Sequence, residues 1–422
     1  MSKQYALLHE KIECRTLENG LRIAYIPKEG FSKTFAVLAT DFGSVDASFT
    51  LDGTRYDTPA GVAHFLEHKM FEDKDGNALQ KFSVTGASPN AFTSQTMTAY
   101  HFSCTERFEQ NLDILLSFVF TPYFTEENVE KERGIIGQEI GMMEDTPGWQ
   151  AYVGLFEGLF HEHPVRVSIA GSVESISHIT PELLFTCHKA FYSPSNMALV
   201  VCGAADFEQV CRAAERLSPR VPTRIGERHY GERRDTVAKS LVTRKMQVSQ
   251  PQFLLGFKDE PLAPGESKLR RALLGELAVR VLCGDTAPLY SDLYAKRLIN
   301  RYFETEYSLI PEGAVALMGG ESRDPEAARA AIEAEVRRIA REGVDKPLFE
   351  RMKKAVYGLH LRVLDDPEEL ARMQVGAMFG GEDYLDFAAL FDTIEASDIQ
   401  TMVARWARND HSSMSVVEPA EA

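Results

Sequence analysis

Cysteine is scarce in this chain of 422 residues and follows no pattern. Cys14, Cys104, Cys187, Cys202, Cys211 and Cys283 are scattered, and no two share the close spacing of a thiolate metal site. Several fall in apolar, strand-like runs, so they read as reduced core residues of a cytoplasmic protein, and a cysteine zinc site is not expected. Long apolar runs are also missing. None approaches the roughly 20 residues that span a bilayer. The opening stretch Met1 to Glu10 has neither a signal core nor a small-residue cleavage site, so no membrane or export role is expected. Positive charge is in deficit, with 46 Lys and Arg against 62 Asp and Glu and a net charge of −16. That balance disfavours nucleic acid or an anionic membrane surface as the main partner.

What is present is an ordinary globular composition, 44% hydrophobic and 26% charged, in a chain long enough for two domains of about 200 residues. The stretch around which the rest is organised runs from Thr58 to Phe71. Thr58 suits a helix cap and Pro59 a first turn. On the helix that follows, His64 and His68 lie one turn apart and project from the same face, with Glu67 beside them. Two such imidazoles with an adjacent carboxylate are what a helix needs to hold Zn²⁺ and keep a general base near the metal-bound water. The order His-x-x-Glu-His inverts the commoner His-Glu-x-x-His. A third ligand must come from elsewhere.

Glu13 to Ile26 reads as a hairpin turned at Asn19-Gly20, and Thr34 to Phe42 and Met97 to Thr105 as strands. Arg107 to Phe120 reads as a helix, with Phe108, Leu112, Leu115 and Val119 on one stripe. A second helix, capped by Thr125, carries the apolar stripe Val129, Ile136, Ile140 and Met143. Glu132 and Glu139 fall two turns apart within that stripe. A carboxylate facing a core is costly unless it is paired or bound to metal. Pairing with Lys or Arg would satisfy it, but a two-histidine site elsewhere lacks a carboxylate. Glu139 is therefore the expected third ligand, and Glu132 the group that orients or compensates it. The His161-Glu-His163 pair, two residues apart, shares no helix face and reads as structural.

The strand Asn196 to Gly203 closes the first half, and Arg216 to Lys245 turns polar, like an exposed linker. The fold class expected is α+β, two homologous α/β rolls joined by that linker. Residues 1–215 form the zinc-binding domain, 216–245 the linker and 246–422 a degenerate second copy. In that copy, aligning Phe349-Glu350 with Val129-Glu130 sets Met352 where Glu132 stands and Leu359 where Glu139 stands, and no His-x-x-Glu-His occurs after residue 250. Apolar residues would then replace the metal apparatus.

These motifs resemble the inverzincin metallopeptidases, the family of pitrilysin, insulin-degrading enzyme and the mitochondrial processing peptidase. The likeness rests on His64-Phe-Leu-Glu-His68, Glu130-Lys-Glu-Arg-Gly-Ile-Ile-Gly-Gln-Glu139, Gly86-Ala-Ser-Pro-Asn-Ala-Phe-Thr93, His163-Pro164 and Ile169-Ala-Gly-Ser-Val-Glu-Ser-Ile176. It is nearest to the half-length bacterial members, which pair two chains around one chamber. The resemblance implies a mixed sheet with packed helices in each half, one Zn²⁺ per chain, and hydrolysis of short or unfolded peptides inside the chamber. It also implies that Asn90 and Ala91 lie in the edge strand against which substrate is laid; Asn90 reads equally well as a turn residue after Pro89. Active members complete the site with an Arg and a Tyr from the C-terminal half. Here Tyr294 stands where the Arg is expected, and Arg301 and Tyr302 are adjacent. A homologous partner subunit is therefore expected to supply both, as a heterodimer rather than a homodimer. The reading is a zinc metalloendopeptidase; the competing one is a non-catalytic structural subunit of a larger assembly.

Overall fold

In the computed structural model, which describes residues 2–74 and 76–420, the two expected rolls are present as two compact units built from interleaved segments. Unit 1 comprises residues 1–140, 168–229 and 361–386, and unit 2 comprises 141–167, 230–360 and 387–422. The fold is α+β, with a mixed sheet and packed helices in each unit. No helix among the described residues is long and apolar enough to cross a membrane.

Unit 1 begins with β1 (Ser2–Tyr5), β2 (Glu10–Thr16) and β3 (Arg22–Pro27). Asn19 accepts from the Leu21 amide at 3.1 Å and Gly20 takes a φ of 89°, which closes the predicted hairpin. Four more strands follow: β4 (Thr34–Thr40), β5 (Ser88–Thr93), β6 (Thr98–Cys104) and β7 (Met197–Gly203). They assemble in the order β1-β2-β3-β7-β4-β6-β5, antiparallel except for the β3–β7 pair. Every residue of β4, β6 and β7 is buried, because helices cover both faces. One face receives α1 (Val62–Lys69) and the helix Phe108–Phe120, where Phe118 packs edge-on to Tyr100 of β6. Across the sheet, Arg372 bonds His101 of β6 at 3.1 Å.

The helix α1 begins later than the sequence suggests, which corrects the expected cap. Thr58 bonds the Ala47 carbonyl instead, and the position before the helix is Gly61 in the left-handed region, with no side-chain cap. A Cβ on Gly61 would lie 2.4 Å from the Ala170 carbonyl oxygen. The chain needs glycine there because the Ala170-Gly171 turn presses on it, and Ser175 bonds the Ala60 carbonyl at 2.8 Å. The Ile169–Ile176 motif thus buttresses the entry to α1. The helix α2 (Glu126–Glu144) starts as expected, with Thr125 Oγ1 accepting from the Asn128 amide at 3.2 Å.

Unit 2 repeats the pattern with β8 (Leu241–Met246), β9 (Gln252–Asp259), β10 (Glu304–Ile310), β11 (Gly313–Glu321) and β12 (Ser412–Pro419) in the order β8-β12-β9-β11-β10. This matches β3-β7-β4-β6-β5, including the single parallel pair, β8 with β12. The helix α3 (Pro147–Leu159), next in sequence after α2, packs on β9 and β12 of unit 2. A Cβ on Gly158 or Gly154 would come within 2.1 Å of Ser413 Oγ or 2.5 Å of Ser415 Oγ, so that approach requires glycine. The helices α4 (Lys268–Cys283) and α5 (Lys346–Val363) also belong mainly to unit 2, whereas α6 (Pro367–Phe379) packs on β4 and β7 of unit 1. Residues 216–245, expected as a linker, hold the end of a helix and most of β8. The alternating exposure of that edge strand is what makes it read as solvated. None of the six cysteines is in a disulfide, and five of them are buried.

Candidate metal centre

On α1 the spacing of His64 and His68 brings their ring centroids to 4.6 Å. Glu139, from α2, reaches both: its Oε1 lies 3.7 Å from His64 Nε2 and its Oε2 lies 3.6 Å from His68 Nε2. One ligand atom from each of the three residues lies within 4.8 Å of the other two. Donors about 2.0–2.1 Å from a tetrahedral ion stand about 3.3 Å apart, so a small closure would bring these onto Zn²⁺. The donor set, two imidazoles and a half-exposed carboxylate, suits zinc with a position left open.

The surroundings act on the two imidazoles in opposite directions, favouring the neutral form only for His64. Burial, helped by His68, pushes the His64 pKa down to about 4. His68 is drawn upward: burial pulls it down, but the bond to Glu132 and the charges of Glu67, Glu132 and Glu139 outweigh that. Its Nδ1 lies 3.1 Å from Glu132 Oε1, which leaves Nε2 for Glu139's side of the site. Glu132, expected to orient or compensate Glu139, touches His68. The cause is Lys69, fully buried next to His68, whose Nζ lies 3.3 Å from Glu132 Oε2 and 2.8 Å from Glu72. Burial pushes Glu132 up, but His68 and Lys69 hold it below the usual carboxylate range. The outer nitrogen of His64, Nδ1, is buried and has no hydrogen-bond partner among the described residues.

Glu67 is 8% exposed, and Thr93 donates to its Oε2 at 2.7 Å. Burial is the main cause that raises its pKa, with Glu139 adding to it and Thr93 and His68 opposing. The site thus holds a carboxylate with elevated proton affinity beside a three-donor cluster, an arrangement able to support metal-assisted hydrolysis.

Thr93 ends β5, which is the edge strand of its sheet. Ser94 closes the turn by donating to the Met97 carbonyl at 2.7 Å, and the register then alternates. Phe92 and Asn90 sit at bonded positions opposite Ala99 and His101, so the backbone groups of Thr93, Ala91 and Pro89 face outward. Ala91 and Thr93 share the Glu67 side, while Asn90 and Phe92 lie on the other, next to His101. The outward Ala91 amide bonds the Asn90 side-chain oxygen at 2.9 Å.

Sequence reasoning names seven of these groups and misses three: Thr93, Lys69 and Glu72. Thr93 could have been found by alternation from Ala91. Lys69 stands in the motif itself, but a lysine there reads as solvated until its burial is known. His163 is structural as expected, its ring bonding the Pro311 carbonyl at 3.0 Å and the Val165 amide at 3.1 Å.

Two family models match the chain: insulinase, peptidase family M16, at residues 50–171, and the peptidase M16 inactive domain at residues 178–356. The chain is 37% identical to the uncharacterised zinc protease YmfH of Bacillus subtilis, an alignment covering 99% of this chain and 98% of that one. It is similar to a protein from Alicyclobacillus acidocaldarius whose crystal structure is described as that of an M16-like peptidase. The TM-score is 0.92 at 34% identity, covering 97% and 99% of the two chains. Pitrilysin is alike in fold, with a TM-score of 0.78 at 18% identity, the match covering all of this chain and 46% of pitrilysin.

Proposed function

The chain belongs to peptidase family M16 and is a zinc protease of its half-length bacterial type, and from this premise we propose that it is an endopeptidase with His64, His68 and Glu139 as ligands and Glu67 as general base. The observation that carries the assignment is the convergence of those three donors beside a buried Glu67. One zinc per chain, when bound, supplies Lewis acidity that lowers the pKa of a coordinated water to about 7 and polarises the scissile carbonyl. Glu67 accepts the water proton on its free oxygen, Thr93 holding the other, and later passes it to the leaving amine. The raised proton affinity of Glu67 suits this exchange near neutral pH.

Substrate is an extended, short or unfolded peptide laid along β5, bonding the outward groups of Ala91 and Thr93. Asn90 releases the Ala91 amide as the peptide takes its place. A homologous partner subunit closes the chamber and supplies an Arg and a Tyr. In this chain Tyr294 is 53% exposed, and Arg301 is bound to its neighbour Tyr302 at 2.7 Å. The reduced cysteines are in keeping with a cytoplasmic setting. A purely structural subunit would have no use for an intact base and donor set, and that reading finds no support. The test is hydrolysis of a mixed peptide pool, with products read by mass spectrometry, by the chain alone and with a homologous partner. Internal cleavage that chelation abolishes and zinc restores is expected, and strongest with the partner; robust turnover by the chain alone contradicts the partner's role, and no zinc-dependent cleavage in either case contradicts the enzyme assignment.

A further inference from the structure

We infer that Lys69 is a positioning residue of the metal centre, fixing Glu132 against His68 so that His68 presents Nε2 to the ion. The inference rests on the zinc reading above.

The geometry is a relay across three side chains. Lys69 has no exposed side-chain surface, and its ammonium bridges Glu132 Oε2 at 3.3 Å and Glu72 Oε2 at 2.8 Å. The second oxygen of Glu132 meets His68 Nδ1 at 3.1 Å. Held at both oxygens, the Glu132 carboxylate cannot turn away, and it has no proton to give. His68 Nδ1 therefore donates, and the lone pair falls on Nε2, the nitrogen facing Glu139. His64 has no such support, since its Nδ1 lies buried and without a partner among the described residues. The relay thus acts on one of the two imidazoles.

A buried ammonium close to a divalent site makes its presence informative. By charge alone it opposes a cation, so deleting it should tighten zinc binding. If its work is to aim Glu132, deleting it should weaken zinc binding. The two roles differ in sign.

The test is zinc affinity of the full chain, measured by chelator competition, for wild type, Lys69→Met, Glu132→Gln and the double variant. Lys69→Met is expected to weaken zinc by about 10- to 100-fold, as loss of a group supporting a ligand does. Because Lys69 acts through Glu132, the double variant should bind about as weakly as Glu132→Gln alone. In the wild-type apoprotein, ¹⁵N spectra of the labelled histidines should show His68 protonated at Nδ1, a readout that needs no variant to fold. Zinc binding by Lys69→Met as tight as wild type or tighter, additive losses in the double variant, or a dominant Nε2–H tautomer of His68 would each overturn the inference while leaving the zinc assignment intact. A wild-type chain that holds no zinc overturns both.

Discussion

In unit 1, the helix after β4 and the second helix after β6 meet through His64, His68 and Glu139. Their facing atoms stand 3.6–3.7 Å apart, too far for good hydrogen bonds. In unit 2, the helices at the corresponding places are α4 and α5, and they meet directly. His360 Nε2 lies 3.0 Å from Glu276 Oε2, and Arg280 holds the other Glu276 oxygen at 3.2 Å. Burial pushes Glu276 up, but His360 and Arg280 hold it below the usual carboxylate range. Both units thus bridge the same helix pair with polar groups, one set satisfied within itself and the other arranged around a gap. Self-satisfied polar clusters stabilise a fold. Clusters left short of partners mark where a ligand belongs.

The largest expected effect comes from the unit that carries the gap. Glu67→Gln should retain zinc and its melting temperature while peptide hydrolysis falls by about 10²–10⁴-fold, the usual worth of a general base. Near wild-type turnover in that variant would remove Glu67 from its role. In unit 2 the same kind of change should act on stability alone. His360→Leu leaves Glu276 short of a partner and should cost about 1–2 kcal/mol in urea unfolding, discounted from the value for a fully buried pair because Glu276 is 30% exposed. Adding Glu276→Leu should recover part of that loss. Zinc content and hydrolysis per folded molecule should stay unchanged, and a loss of zinc in either variant would break the comparison.

A smaller effect separates the units in acid. Burial pushes His64, His101 and His188 of unit 1 down to about 4, and among the histidines of unit 2 only His163. Each is neutral when folded and titrates near 6.5 when unfolded. Its stabilisation is complete above about pH 6.5 and is lost as pH falls towards 4. Both tryptophans, Trp149 and Trp406, lie in unit 2. Acid titration of the apoprotein should therefore change the far-UV circular dichroism at a higher pH than the tryptophan emission. Coincident transitions would mean that the units do not differ in this way.

How much of this the sequence made legible depends on how local each feature is. The His64, Glu67 and His68 constellation was readable because helical spacing alone sets its geometry. Glu139 and Glu132 were readable because acids in an apolar stripe need a reason. The start of α1 was not, since Gly61 is set by the pressure of Ala170, over a hundred residues away. Nor was the interleaving of the units, because nothing local in α3 or α6 says which sheet it will cover. The bridge in unit 2 was missed by one position. The position equivalent to Glu139 is Leu359, one short of His360, whose meaning depends on Glu276 on another helix.

Zinc binding by two imidazoles of α1 and the Glu139 carboxylate of α2 is the condition for every step proposed above. It is tested most directly by elemental analysis of protein purified without chelators, comparing wild type with Glu139→Ala. One zinc per wild-type chain and little or none in the variant is expected. A wild-type chain without stoichiometric zinc, or a variant that keeps it, would mean that these three residues do not hold the ion.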